Sequence, residues 1–392
     1  MTARLIKRKE NNIFNILKFV ICFVIYFIKA IWYISIGRGY VLQKMTKRSK
    51  ISERMVIIVR KFMSLLLLVA LLACAFTPAY ADAASKEGWP EQLKFSAGPP
   101  GGNWFALGST LSDMWSKNTI PVTSSSGGGV SNIINCDRGR GDFGFSNTSI
   151  LGAAIKGEQD FEGRATKNAT ILANLYTQYT YFIMNKDFAE KHQIKTFGDI
   201  LTKKIPTRMA TLKPGTGSEF VFKSLLAKGY NTNYDELKKM GCSIEFASYE
   251  GGADLMADGH LDLFVFSVGK IASIVMNIES NTDIVCLDVD QPALDALAAA
   301  YGTVTFTIEP GIYKSVTKPV KTVGDYTCIV VRDNIPDTLA YELCKSMWEH
   351  KSELAQAVKD IDELNPQIAI PDGVPMQAGA KKYWEEMRAQ SK

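Results

Sequence analysis

From about residue 93 onward, short apolar runs are each closed by a polar or glycine-rich turn and followed by a segment with helical spacing. Leu93, Phe95 and Ala97 alternate with polar positions and lead into Gly98-Pro99-Pro100-Gly101-Gly102-Asn103. Phe143-Gly144-Phe145 leads likewise into Ser146-Asn147-Thr148. A period of two predicts a strand, and a period near 3.6 predicts a helix. Strands are therefore expected at 93–97, 122–124, 143–145, 171–175, 180–184, 208–211, 243–247, 261–266, 283–287, 304–308 and 326–331. Helices are expected at 104–117, 130–137, 149–156, 219–228, 234–240, 251–258, 270–279, 293–301, 336–358 and 377–388. Such alternation predicts an α/β fold with mostly parallel sheets.

Four of the turns enter helices: Gly98–Asn103, Ser124–Gly129, Phe145–Thr148 and Lys213–Ser218. The first turn of a helix carries unpaired N–H donors and a partial positive charge, so it receives oxyanions without any cation. Several such starts converging would form a capture site for a small anion. A weak internal echo points the same way. Gly129 to Ser146 and Gly252 to Ser267 both run from a glycine through a short helix and two aspartates to a strand ending Phe-Ser. Two similar sheets would then bring Phe145-Ser146 and Phe266-Ser267 to strand carboxyl ends, where open α/β folds bind ligands.

The amino-terminal part changes the charge picture. Arg60 and Lys61, an apolar run to Phe76 and Ala79-Tyr80-Ala81 have the order of a secretory signal over 55–81, with cleavage expected after Ala81. Leu71-Leu72-Ala73-Cys74 is a poorer lipobox alternative, which would anchor the chain at Cys74. The stretch 13–36 is apolar enough to cross a bilayer although Lys18 and Lys29 interrupt it, and residues 1–54 read as an over-extended start or a membrane segment. Residues 1–81 hold 14 of the 45 Lys+Arg and 2 of the 40 Asp+Glu. The remaining 311 residues thus carry 31 basic and 38 acidic groups and are net acidic, which removes the electrostatic case for nucleic acid.

Candidate chemistry is sparse. Gly139-Arg140-Gly141-Asp142-Phe143-Gly144 spells a dinucleotide fingerprint but follows a helix and precedes a strand, the reverse of the required order. Pro214-Gly215-Thr216-Gly217-Ser218 lacks the lysine that would complete a P-loop. His192, His260 and His350 have no ligand-spaced partner, and five scattered cysteines after residue 81 form neither a zinc pattern nor a disulfide framework. No cofactor, metal or catalytic residue is expected. Trp104, at the start of a helix, is expected to be a ligand wall, and Lys213 is a better counter-charge than Arg138.

At these residues the chain resembles the TAXI-type solute receptors of tripartite (TRAP) transporters. The resemblance runs through Phe95-Ser96-Ala97-Gly98 with Gly101-Gly102-Asn103-Trp104, Ser126-Gly127-Gly128, Gly141-Asp142-Phe143-Gly144-Phe145-Ser146, Phe197-Gly198-Asp199-Ile200-Leu201, Pro214 to Ser218, Pro310-Gly311 with Tyr313, and Thr322 to Tyr326. It departs from the family pattern at Gln377, where a histidine is common, and at Asn103-Trp104. The resemblance implies a periplasmic, non-enzymatic, two-lobe binding protein of type II with its cleft between the lobes. Such a protein closes on a small carboxylate, glutamate-, glutamine- or 2-oxoglutarate-like, and delivers it to the membrane subunits of an ion-driven permease.

The lobes are expected at 90–180 and 181–267, with 268–392 returning to the first. Closure would bury the ligand between Gly102, Asn103, Trp104, Ser126, Ser146 and Asn147 on one side and Lys213, Thr216, Gly217, Ser218, Phe266 and Ser267 on the other. A sensory ligand-binding subunit and a two-lobe enzyme such as a transferase stay open at this point.

Overall fold

The computed structural model describes residues 86–391, which belong to one compact unit. The expected signal, Cys74, Ala81 and the stretch 13–36 lie outside the described residues.

Ten strands form one mixed sheet: β1 (Leu93–Ser96), β2 (Val122–Ser125), β3 (Phe143–Asn147), β4 (Ala169–Asn185), β5 (Arg208–Leu212), β6 (Ser243–Ala247), β7 (Leu263–Gly269), β8 (Ile284–Cys286), β9 (Val304–Ile308) and β10 (Val320–Arg332). Their order is β2-β1-β3-β10-β4-β7-β5-β6, with β8 on β4 and β9 on β10. β1 pairs in parallel with β2 and β3, and β5 in parallel with β6 and β7, while β3 meets β10 and β7 meets β4 antiparallel. The fold is therefore α/β, a mixed sheet flanked by helices, in which two parallel triplets with the same order sit on either side of a long antiparallel pair. The two echoing segments end on β3 and β7, which hold the same inner place in their triplets.

Five helices reach the region between the triplets: α1 (Asn103–Asn118), α2 (Gly129–Asp137), α3 (Thr148–Lys156), α4 (Gly217–Ser224) and α5 (Tyr249–Ala257). Between α1 and the sheet, Trp115 of α1 and Phe95, Phe143 and Phe145 of the strands are fully buried and meet edge to face at 4.8–6.0 Å. Burying each such ring is worth about 1.5–3 kcal/mol, so this aromatic floor anchors β1 and β3 and fixes where their carboxyl ends point.

Two expectations are corrected. Separate strands at 171–175 and 180–184 are one 17-residue strand, because the intervening Tyr176 to Tyr179 stays paired with β10, and from Gln178 with β7, instead of turning outward. β4 pairs with β10 up to Tyr179 and with β7 from Gln178 onward, so it passes from one triplet's side to the other's. The helix expected over 336–358 is two, Asp337–Glu349 and Lys351–Ala357, separated at His350. Beyond residue 267, Ile284–Cys286 pairs with the far end of β4, and β10 pairs first with β9 and then with β3. Cys136, Cys242, Cys286, Cys328 and Cys344 are all buried and unpaired.

Candidate functional site

A narrow crevice lies between the triplets, at the carboxyl ends of β1, β5 and β7. It is lined by Pro99, Gly102, Asn103 and Trp104 on one side, Leu212, Thr216, Gly217, Ser218, Tyr249, Ser267, Val268 and Gly269 on the other, with Gln178 between. About 20 Å³ within it is open to water centres, room for about one or two waters.

Local sequence explains the donors that reach this space. Gly102 caps α1 without a side-chain acceptor, and Gly102 N is bonded to Pro99 O, which leaves Asn103 N–H and Trp104 N–H with no acceptor among the described residues. Across the crevice, Thr216 caps α4 by accepting Glu219 N–H at 3.3 Å, so Gly217 N–H and Ser218 N–H are likewise free. Two helix starts thus bring four residues with unbonded peptide N–H groups to the lining of one small space. No Lys or Arg lines it.

The side chains around it are mostly committed to holding that geometry. Ser218 Oγ accepts Ser267 N–H at 2.8 Å, Tyr249 OH donates to Ser267 O at 3.1 Å, and Ser267 Oγ meets Thr180 Oγ1 at 2.8 Å. Desolvation raises the Tyr249 phenol, so it remains a neutral donor. Asn103 Nδ2 donates to Asp360 Oδ2 at 2.9 Å and to Ile271 O at 3.3 Å, while Ile271 N–H donates to Asp360 Oδ1 at 3.1 Å. Asn103 therefore contributes its peptide group, and its side chain is a brace. Burial pushes the Asp360 carboxyl up to about 6.

Sequence-predicted residues fall into three groups. Gly102, Asn103, Trp104, Thr216, Gly217, Ser218 and Ser267 line the crevice together. Ser126 and Lys213 line instead a wider outer mouth with about 530 Å³ open to water centres, which shares Pro99, Leu212 and Thr216 with the crevice. Ser146, Asn147 and Phe266 line neither. Ser146 Oγ donates to Gly129 O at 2.9 Å and braces α2; Phe266 is in the core against Tyr181, Tyr249 and Phe264. Asn147 is fully buried: its Nδ2 donates to Gln178 Oε1, and its Oδ1 finds no donor among the described residues. Trp104 is a wall of a different kind from the one expected. The residue is 7% exposed, its ring lies against Phe145 and next to Gly217 of the opposite turn, and its Nε1 donates to Thr327 Oγ1 at 3.0 Å.

The start of α2 also departs from expectation. Val130 N–H and Ser131 N–H both donate to Gly215 O at 3.2 Å, so these amides hold the facing turn and are not free for an anion. Glycine is required for that approach, since a Cβ on Gly128 would lie 2.6 Å from Gly215 O and one on Gly217 would lie 2.7 Å from Asn147 Oδ1. Gln178, Tyr249 and Asn132 were missed in the sequence. Asn132 Nδ2 donates to Ser96 O, Ala97 O and Phe145 O at 2.8–2.9 Å, tying the ends of β1 and β3 together beneath α2. The only sequence signal for Gln178 is its place beside Thr177 at a polar interruption between two apolar runs.

Among the described residues, no group of three or more His, Cys, Asp or Glu is placed to hold a metal, and no helix is long and apolar enough to cross a membrane. No curated protein matches the chain in sequence. Solved structures similar to it include MatC from Rhodopseudomonas palustris with bound malate, at 14% identity over 77% of this chain and 98% of that one with a TM-score of 0.46. The periplasmic binding protein BugD is similar at 12% identity over 77% and 95%, with a TM-score of 0.45. A periplasmic transporter is similar at 14% identity over 76% and 93%, with a TM-score of 0.42. The model of the NMT1-like family matches residues 95–387, and on that span the chain belongs to the NMT1-like family.

Proposed function

We propose that this protein is an extracytoplasmic solute-binding receptor that captures a small carboxylate between two lobes and hands it to a TRAP-type permease. The observation that carries this reading is the convergence of four free peptide donors, from Asn103, Trp104, Gly217 and Ser218, on one crevice without a cation. A carboxylate satisfies those donors, and the partial positive charge at the two helix starts favours it. The motif series from Phe95 to Tyr326 supports the TRAP assignment and the periplasmic location.

One lobe is built on β2-β1-β3 and the other on β6-β5-β7, with the bend where β4 and β10 pass between them. Two strands crossing between lobes permit rotation without unfolding either core. The ligand stabilises the closed arrangement because the donors of α1 and α4 face each other only there, and the permease reads that form. Binding raises the melting temperature by mass action. A thermal-shift panel of monocarboxylates, dicarboxylates and amino acids is expected to give a saturable rise for at least one carboxylate. In Ser218→Leu, which fills the crevice, that rise is expected to vanish. No shift with any carboxylate, or an unchanged shift in Ser218→Leu, contradicts the reading.

A further inference from the structure

The enclosed crevice has about 20 Å³ open to water centres, which accommodates the head of an acid and little more. The adjoining mouth, with about 530 Å³, shares the walls Pro99, Leu212 and Thr216, so a ligand whose carboxylate sits on the helix starts extends outward past these three residues. Two side chains of opposite charge line that mouth. Lys213 lies three residues before Thr216, and Glu250 follows Tyr249 of the crevice, so each is tied to a crevice residue by a short length of backbone. Neither has an ion-pair partner among the described residues. Glu250 sits against Gly101, on the opposite wall, where a Cβ would collide with its carboxylate.

We propose that this mouth is a second subsite, reading the far end of the same ligand, and that Lys213 and Glu250 together select an uncharged dipolar tail over a second carboxylate or a lone ammonium. The proposal rests on the receptor reading given above. An amide tail offers an acceptor to Lys213 and a donor to Glu250. A second carboxylate gains Lys213 but is repelled by Glu250, and an ammonium has the reverse fate. The ligand class is thus an extended monocarboxylic acid ending in an amide or similar dipole.

The test is calorimetric titration of the whole mature chain with acetate and with three five-carbon acids of equal length: glutaramate, glutarate and 5-aminopentanoate. Glutaramate is expected to bind tightest. Lys213→Met should improve 5-aminopentanoate relative to glutarate by about two- to fivefold, and Glu250→Gln should shift the ratio equally far the other way, as suits exposed charges. Acetate should be indifferent to both substitutions. If acetate binds and none of the longer acids binds more tightly, or if neither substitution moves the glutarate to 5-aminopentanoate ratio, the second subsite is refuted while the receptor reading stands. If neither acetate nor any longer acid binds, the receptor reading itself fails and this inference with it.

Discussion

Asp325 is buried at the point where β10 leaves β9 and joins β3, and its carboxylate accepts Ser149 Oγ, Ser149 N–H and Tyr326 N–H. Desolvation outweighs those bonds and pushes its carboxyl up to about 6. The folded protein therefore holds this proton more tightly than the unfolded chain, whose aspartates titrate near 3.9. Stability from this group is complete below about pH 4 and is lost as pH rises through about 6, by an amount on the order of 3 kcal/mol. Asparagine cannot titrate. The unfolding free energy of the wild type minus that of Asp325→Asn, from urea melts, should fall between pH 4 and pH 7; a flat difference would show that the carboxyl is not shifted.

At the scale of elements, α2 decides how closely the two triplets meet. Its first amides grip Gly215 O, and the Cβ of an alanine at 128 would press on that backbone oxygen, which has no rotamer by which to give way. Overpacking of this kind costs about 1–3 kcal/mol, and here the cost falls on closure because Gly128 lines the mouth and not the crevice. Gly128→Ala should weaken carboxylate binding about tenfold in calorimetry, with unfolding cooperativity retained. Unchanged affinity would mean that the grip of α2 on Gly215 is irrelevant to binding.

Most elements were legible because their apolar period is unbroken: Ser243–Ala247 and Val304–Ile308 fall where the pattern puts them. The long β4 was not, since half-buried Thr177 and buried Gln178 look like a turn until β10 and β7 cover both edges of the strand. The site divides in the same way. Thr216, Gly217 and Ser218 were readable from turn chemistry, a local property. Gln178 and Tyr249 come to the crevice only through long-range pairing and packing, and the use of α2 depends on a carbonyl 85 residues away from Val130 in sequence. Glycine's part was also only half legible, because a turn advertises its free amides but not the backbone that will lie against it.

For the whole molecule, the repeated order of the two triplets places equivalent strand ends face to face, and the paired long strands β4 and β10 join the halves. The central claim is that an anion is held there by peptide donors of α1 and α4 and not by α2 or by a cation. Backbone amide NMR during a titration with acetate tests it most directly. The account predicts saturable shifts with one common affinity at Asn103, Trp104, Gly217 and Ser218, while Val130 and Ser131, bonded to Gly215 O, move little. Shifts centred on Val130 and Ser131, or on lysine-bearing surface away from the crevice with those four amides unmoved, would contradict it.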